Sequence, residues 1–441
     1  MPAPTVISDA DMSGLLKNLY NNYRMKVQNL VTPTLAQLQK AKAGGPRNLR
    51  WGGNGAYWDV VTGRPTGGTW SGSGYFPPDT FAQEKQASVG VARGYVTRQI
   101  DGLAFLGTKS KEAAFQTIAE KTLEEIREAS ALMMEATLNG SGQGILATVG
   151  TVTDTVTIIC QAPYGVAGAG QGGLLLNPGD YIAVRNSTGG TLRGKSSITS
   201  IANSTTNATL TLTTSIGGMV AADIVVKATT SDDSYSATAG INVMNGLINI
   251  TNRGGNYGTL HGLSAAGYPI WNTTRMVAGT DTPDVNQCTE SDIWQLMKQV
   301  AGLSGKDAFL RPNEFLLVTT PGVTRNLMES FVAQRRFTAQ ETSTMLKGGY
   351  KAVEVCGLPL VEDYYVPAGT IYLLHLPSLA WVDAKDWGFV EFEGAGPWRW
   401  IQGRDAFETT YGYYGNIAAL ARNAHGSITS YTDSVFYTHV I

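Results

Sequence analysis

The sequence has little charge. Asp, Glu, Lys and Arg together make up 15% of its 441 residues, against about 25% in typical soluble domains. The 33 basic and 35 acidic residues leave a formal net charge of -2, which excludes a chain-wide positive field that would attract nucleic acid or an anionic membrane. Two explanations remain open: a surface largely covered by other copies of the chain, where charge is depleted, or neutral loops rich in Gly, Ser and Thr.

Cysteine, histidine and long apolar runs are scarce as well. The three cysteines are widely spaced without a C-x-x-C pair, and the four histidines lack the spacing of zinc ligands, so we predict buried thiols in a reducing compartment and no metal site. No run approaches the roughly 20 apolar residues that cross a bilayer, the first residues lack an export signal, and no G-x-S-x-G elbow occurs. We therefore predict a protein that is not an enzyme, binds no cofactor and does not enter a membrane.

Two short motifs match the patterns of nucleotide-binding loops. Residues 189–196 fit the phosphate-loop pattern G-x-x-x-x-G-K-[ST], with Lys195 as the lysine, and residues 168–173 fit the dinucleotide pattern G-x-G-x-x-G. Both bind phosphate only where a helix follows directly and its N-terminal amides face the ligand. The strand-like SITSIA follows the first motif, and Pro178 with Gly179 follows the second. A Gly-rich β-hairpin is therefore favoured at the first motif and a flexible turn at the second, and a P-loop nucleotidase is a less favoured function.

An amphipathic helix from about Ser110 to Leu138 is the most marked local feature of the sequence. Apolar or small side chains recur there at three- and four-residue steps and predict one buried stripe, made of Phe115, Ile118, Thr122, Ile126, Ala129, Met133 and Ala136. Asn139 and Gly140 predict a left-handed stop. At about 1.5 Å per residue the helix is roughly 40 Å long, so we expect it to act as a strut.

Two segments of distinct composition precede this helix. Residues 1–50 hold seven basic residues and only two acidic ones, and predict a basic N-terminal arm. Residues 51–107 are rich in Gly, Pro and aromatics, and predict an extended loop. Aromatic side chains in such a loop either pack back on their own domain or dock on a neighbour. The interface hypothesis assigns the second role to Trp58, Trp70, Tyr75 and Phe76.

The rest of the chain combines a β module with a mixed region. Residues 108–147 hold the helix and a short segment after it, and residues 148–230, rich in Thr, Val, Ile and Gly, predict an inserted small all-β domain, a barrel or a sandwich, with a first strand expected at 152–160. Residues 231–441 mix helices and strands in an α+β pattern, with a helix predicted at 290–303 and a strand at 358–362. The basic pair Arg335 and Arg336 ends a predicted helix, where it complements the helix dipole. A contact with another subunit or with nucleic acid is the alternative role of this pair.

The order of these parts resembles the major capsid proteins of tailed phages, which share the Hong Kong 97 fold with bacterial nanocompartment shells. After the arm, the loop and the spine helix, residues 138–146 (LNGSGQGIL) are similar to the small-residue turn of that family. Residues 331–337 (FVAQRRF), 355–361 (VCGLPLV) and 414–426 are similar to its later loop and strands. The resemblance covers most of the chain and implies a Hong Kong 97-type α+β fold. In that fold residues 108–147 form the spine helix and the start of the peripheral domain, and residues 231–441 form the apical domain and the return strands of the peripheral domain.

The resemblance also implies a function. It predicts a major capsid protein that self-assembles, as pentamers and hexamers, into the icosahedral head shell around the genome of a tailed double-stranded DNA phage. The expected partners are further copies of the chain, a portal, separate scaffold, protease or decoration proteins, and packaged double-stranded DNA held by weak non-specific contacts. The expected location is the virion, after assembly in the host cytoplasm. The alternatives are an encapsulin-like nanocompartment shell and, in another class, a secreted β-rich adhesin or tail protein.

Overall fold

The computed structural model describes residues 50–52, 55–63, 70, 82–101, 112–168, 172–187, 190–204, 207–238, 240–252, 258–334, 344–345, 351–390 and 398–433. These residues contain four α-helices: α1 (Glu112–Leu138), α2 (Leu247–Thr251), α3 (Glu290–Ser304) and α4 (Pro321–Gln334). The predicted basic arm lies outside the described residues, apart from its last residue.

The strands of the described residues are numbered in chain order. They are β1 (Arg50–Gly52), β2 (Gly55–Gly63), β3 (Gln83–Gly90), β4 (Ala92–Asp101), β5 (Ile145–Val152), β6 (Thr157–Gln161), β7 (Tyr181–Arg185), β8 (Leu192–Asn203), β9 (Ala208–Leu212), β10 (Ile224–Lys227), β11 (Thr259–Leu260), β12 (Leu263–Ser264), β13 (Thr274–Val277), β14 (Phe315–Thr319), β15 (Thr344–Met345), β16 (Lys351–Val355), β17 (Leu358–Glu362), β18 (Ile371–His375), β19 (Leu379–Phe389), β20 (Trp398–Trp400), β21 (Ala406–Ala419) and β22 (Gly426–Thr429).

A seven-stranded mixed sheet forms the centre of the C-terminal half. Its strand order is β13-β22-β18-β14-β17-β16-β15, with parallel pairs β13/β22 and β14/β17. Strand β14 is apolar at four consecutive positions because both of its faces are covered. Phe315 and Leu317 pack with the buried face of α3, while Leu316 and Val318 pack with α2 and the end of α1. This sheet therefore lies between two helical layers.

A second sheet is built around β21. This strand pairs with β4 along its first ten residues and with β19 and β20 on its other side. Helix α1 packs against β4. Strands β1, β2 and β3 form a separate antiparallel sheet, which occupies part of the segment that the sequence predicts to be an extended loop.

A closed antiparallel barrel follows α1. Its strand order is β10-β5-β6-β9-β8-β7, and its interior is filled by alternating apolar residues such as Val149, Ile158, Ile182 and Leu210. Strand β5 begins at Ile145, three residues before the predicted start of the β module, and what the sequence pattern suggests as one strand over 152–160 is the end of β5, a turn and β6. The barrel has no edge strand, because closure pairs every strand on both sides.

The buried face of α1 differs from the predicted stripe. The side chains of α1 are described from residue 121 on, so Phe115 and Ile118 of the predicted stripe lie outside the comparison. Over residues 121–138 the buried side chains include Leu123, Ile126, Met134 and Leu138. Ile126 is common to both sets, and the other predicted positions there are displaced by about one residue, or roughly 100° around the helix. The sequence could not decide this because apolar residues occur on more than one side of α1: Leu132 is 41% exposed. The predicted stripe was wrong in its phase, although the helix itself is present.

The stop of α1 also differs from its prediction. Asn139 and Gly140 do not adopt left-handed backbone conformations; Gly142 and Gly144 do, with φ of 74° and 78°. The buried Asn139 side chain donates instead from Nδ2 to Asp363 Oδ2 at 3.2 Å. The end of the helix is thus tied to the loop after β17.

Candidate assembly surfaces

The six residues of the interface hypothesis fall into two groups. Four lie outside the described residues: Tyr75, Phe76, Arg335 and Arg336. Trp58 and Trp70 are described, and the structure places them in opposite environments.

Trp58 packs inside its own chain. Its side chain on β2 is 5% exposed and belongs to an apolar cluster with Trp271, Val382 and Ala418. The indole meets the His261 ring edge to face, with 5.0 Å between the ring centroids. Of the two roles open to the aromatics of this segment, Trp58 thus takes the first and packs on its own chain, because β2 is held against residues more than 200 positions later.

Trp70 has a fully exposed side chain. A second exposed apolar surface lies on α3 and the loop that follows it. This α3 patch consists of Trp294, Lys298, Phe309 and Leu310, in which Trp294 is 50% and Leu310 is 82% exposed. Large apolar side chains gathered at one exposed place mark protein contacts more often than isolated ones do.

The cation in the centre of the α3 patch is neutralised within the chain. The Nζ atom of Lys298 lies 4.7 Å from the ring centroid of Phe309 and 5.9 Å from that of Trp294. The same atom is 3.1 Å from Asp307 Oδ2. Both rings shield the ammonium by cation–π contact. The patch therefore offers aromatic and aliphatic surface with little free charge, as the cores of protein interfaces do.

Local capping residues fix both ends of α3. The Thr289 side chain caps the first turn, and Asp292 completes a capping box by accepting from the Thr289 amide at 3.0 Å. Asp292 also accepts from the hydroxyl of Tyr431 at 3.0 Å. Gly305 ends the helix with a left-handed φ of 72°. The exposed face of α3 thus sits on a rigid element.

An open cleft of ≈ 440 Å³ adjoins the patch, lined by Thr289, Glu290, Ser291, Trp294, Phe309 and Cys356. Burial raises the pKa of the Cys356 thiol to about 12, so this group is a protonated thiol at neutral pH and a weak nucleophile.

The phosphate-loop match does not form a nucleotide site. Lys195 lies within strand β8, and its ammonium donates to the carbonyl oxygens of Thr229 at 3.1 Å and Asp232 at 2.9 Å. A phosphate-binding lysine must point at the loop before a helix, whereas this one stabilises a turn next to β10. The prediction of a Gly-rich β-structure at this motif is confirmed.

The second glycine motif has a steric explanation in its described part. A Cβ atom on Gly172 would lie 2.0 Å from the carbonyl oxygen of Cys160, so only glycine allows the backbone to approach β6 so closely. The residues after it form a turn that leads to Pro178. No helix begins there to present its amides to a phosphate.

One constellation that the sequence did not indicate joins a serine, a histidine and a carboxylate. His375 Nδ1 is 2.7 Å from Ser378 Oγ, and His375 Nε2 is 3.1 Å from Glu314 Oε2. The order is that of a nucleophile, a base and an orienting acid. Ser378 is only 2% exposed and its Oγ also accepts from Lys306 Nζ at 2.9 Å, so the hydroxyl is enclosed in a structural network.

Within the part of the chain that the structure describes, no group of three or more His, Cys, Asp or Glu side chains is placed to hold a metal ion. Among the described helices, none has both the length and the apolar character needed to cross a membrane.

The arrangement of the elements matches solved capsid structures. The capsid asymmetric unit of cyanophage A-1(L) is similar to 91% of this chain and 93% of its own, with a TM-score of 0.51 at 12% sequence identity. The chain has the Hong Kong 97 capsid fold. The α+β class predicted from the sequence is confirmed by this match and by the helices and sheets described above.

Two further solved structures match with lower TM-scores. The capsid of an empty GTA particle covers 89% of this chain and 90% of its own, at 8% identity and a TM-score of 0.41. The holo-SrpI encapsulin complex of Synechococcus elongatus covers 38% of this chain and 56% of its own, at 13% identity and a TM-score of 0.28. No family model and no curated protein matches the sequence.

Proposed function

We propose that the chain is a major capsid protein, which assembles as pentamers and hexamers into the icosahedral head of a tailed double-stranded DNA phage. The observation that carries this proposal is the structural match to the cyanophage capsid, which covers more than nine tenths of this chain and of the capsid chain. The fold supplies what a shell requires, namely a rigid centre and several separate surfaces on one subunit. The proposed role is structural and not enzymatic.

Assembly would draw on several modest interfaces at once. A standard interface buries about 1,600 Å² in total, and a subunit in a closed shell leaves only if several interfaces break together, so that weak contacts add up to a stable particle. Trp70 and the α3 patch are candidates for such contacts because they are exposed and apolar. Trp58 is not among them, since its side chain is already buried.

Further copies of the chain are the main partners in this proposal. A portal, a separate scaffold, protease or decoration proteins, and DNA held by weak non-specific contacts complete the expected set. The protein would be located in the virion, after assembly in the host cytoplasm. We further propose that residues 145–227 form an inserted domain, because the barrel has a closed hydrogen-bond ladder and its own apolar interior.

Electron microscopy of the purified chain tests the proposal. We expect closed particles that are many times larger than one 47.0 kDa subunit, and DNA inside particles taken from infected cells. A chain that stays monomeric under all assembly conditions would refute a shell protein. Closed particles that hold a protein cargo in place of DNA would favour the nanocompartment.

Surface variants test the contact surfaces separately. Leu310→Ser in the α3 patch should leave the subunit folded and lower the yield of particles, because the residue contributes nothing to the core. Leu192→Ser is the matched control, since Leu192 is an exposed leucine on the barrel strand β8. Equal particle yields for both variants would remove the α3 patch from the assembly surfaces and leave the other surfaces to be tested.

A further inference from the structure

The chain passes between its two large sheets at two neighbouring crossovers. The first, residues 376–378, leads from β18 in the seven-stranded sheet to β19 in the sheet around β21. The second, residues 420–425, leads back from β21 to β22. The amide of Leu420 donates to the carbonyl of Ser378 at 2.8 Å, so the two crossovers form one joint.

His375 uses one ring nitrogen as a hydrogen-bond acceptor in the first crossover. The Glu314 carboxylate can only accept, so Nε2 of His375 carries the proton and donates to it. Nδ1 is then a lone pair and accepts from the Ser378 hydroxyl at 2.7 Å. That hydroxyl in turn accepts from the Lys306 ammonium at 2.9 Å. A proton on Nδ1 would make the imidazolium a second cationic donor to the Ser378 oxygen, which already accepts from the Lys306 ammonium.

His425 uses a ring nitrogen in the same way in the second crossover. Its Nδ1 accepts the backbone amide of His375 at 3.2 Å. A proton on this nitrogen would place two N–H groups face to face and break this second hydrogen bond between the two crossovers. The residue is completely buried, so no water can replace the lost acceptor without opening the joint.

The third described histidine follows the same rule. His261 lies in the turn between β11 and β12. Its Nε2 atom accepts a hydrogen bond from the backbone amide of Ala419 at a distance of 3.0 Å. Ala419 is the last residue of β21, where the second crossover begins. All three histidines of the described residues therefore hold the joint through imidazole lone pairs.

The cations around these rings oppose protonation, whereas the Glu314 carboxylate beside His375 favours it and is outweighed. The cations Lys306, Arg311 and Arg422 face them, and Glu314 is the carboxylate that contacts His375. Burial first, and then Lys306 and Arg311, lowers the pKa of His375 to about 4. Burial likewise lowers the pKa of His261 and of His425 to about 3. The neutral rings are thus part of the folded structure.

We propose that the two crossovers form a proton-sensitive joint between the seven-stranded sheet and the sheet around β21, closed while His261, His375 and His425 are neutral and opened when they gain protons. The joint is a property of the single subunit. Its existence does not depend on whether the chain builds a shell.

The direction of the pH effect follows from linkage. An exposed imidazole takes up a proton near pH 6.5, whereas His375 in the closed joint does so only near pH 4. The closed joint therefore keeps its full stability above about pH 6.5 and loses it as the pH falls towards 4. For His375 alone, the ratio of open to closed joint should rise about 30-fold between about pH 7.5 and about pH 5. His261 and His425 act in the same direction.

Hydrogen exchange of the full-length chain, corrected for the intrinsic pH dependence of exchange, measures this opening. Peptides that cover 371–382 and 415–429 should lose protection by about 30-fold or more at about pH 5. The barrel over 145–227 contains no histidine, so its strands provide the internal control and should keep their protection. Equal losses in the barrel and the crossovers, or no loss in the crossovers, would overturn the proposal.

Variants separate the joint from general acid instability. His375→Asn and His425→Asn place a non-titrating amide oxygen near Nδ1, and His261→Gln places one near Nε2. The triple variant should lose the pH response in the crossovers while the barrel is unchanged. An undiminished response in this variant would also overturn the proposal. If the variant does not fold, the comparison of crossovers and barrel in the wild-type chain still decides the question.

Discussion

Asn416 on β21 donates a hydrogen bond from Nδ2 to the carbonyl oxygen of Gly90 over 2.8 Å, although 326 residues separate them. The same nitrogen donates to the carbonyl of Gly240 at 2.8 Å, and Oδ1 accepts the amide of Asn245 at 2.8 Å. The side chain is completely buried. One amide therefore joins the end of β3, the loop before α2 and the central strand of the second sheet.

Replacing this amide should destabilise the subunit. We expect Asn416→Ala to lower the free energy of unfolding by about 3 kcal/mol, because the buried groups that it served lose their partner. Urea unfolding followed by circular dichroism measures the change. Asn313→Ala, at an exposed asparagine, is the control and should cost less than about 0.5 kcal/mol. Similar losses for both variants would contradict the role given to Asn416.

The observed phase of α1 leads to a paired prediction. Ile126→Asp buries a charge without a partner and should prevent folding of the subunit, at a cost of about 3 kcal/mol or more. Leu132→Asp, six residues later on the exposed side, should give soluble, folded protein. Soluble yield and thermal unfolding distinguish the two variants. A folded Ile126→Asp chain would show that this face of α1 is not buried.

Gly246 allows the segment before α2 to touch the turn after α1. A Cβ atom at this position would lie 2.1 Å from the carbonyl oxygen of Gly140, so Gly246→Ala should force the backbone apart and lower stability by about 2 kcal/mol. Gly217→Ala is the matched control, because a Cβ there meets nothing within 4 Å. Equal melting temperatures for the two variants would refute the close contact.

The lysine of the phosphate-loop motif offers a test of its structural role. Lys195→Ala should lower stability by about 1 kcal/mol through the loss of its hydrogen bonds to Thr229 and Asp232. Isothermal titration with ATP should detect no binding in either protein. Nucleotide affinity that drops in the variant would restore the nucleotidase hypothesis.

The two described tryptophans of the interface hypothesis should behave differently. Trp58→Ala removes a buried aromatic side chain and should cost about 3 to 5 kcal/mol of subunit stability. Trp70→Ala should leave subunit unfolding unchanged and, if Trp70 lies at a contact, reduce particle yield. Thermal unfolding of unassembled subunits and particle counts by electron microscopy provide the two readings. A stable Trp58→Ala subunit would contradict its burial.

Short-range patterns predicted many elements well. The helix at 290–303 and the strand at 358–362 agree with α3 and β17 within one residue, since a capping residue, a glycine and a run of apolar side chains act within a few positions of each other. The β module was recognised from composition. Its first strand was placed too late, because Ile145 follows the glycines of the turn directly.

The Ser378 network could not be predicted in the same way. His375 contacts Glu314, which is 61 residues away in the sequence, and His425, which is 50 residues away. No sequence motif links these positions. The partners of Trp58 were hidden for the same reason.

The sequence by itself determined that the chain alternates a long helix, a β-rich module and an α+β region, because periodicity and turn residues are local properties. Tertiary structure alone decided which side of α1 is buried, that Trp58 belongs to the core, that Lys195 serves a turn, and that three histidines meet at one joint. These outcomes depend on which distant backbone segments come together, and burial and hydrogen bonding between them are not encoded in the spacing of any single segment.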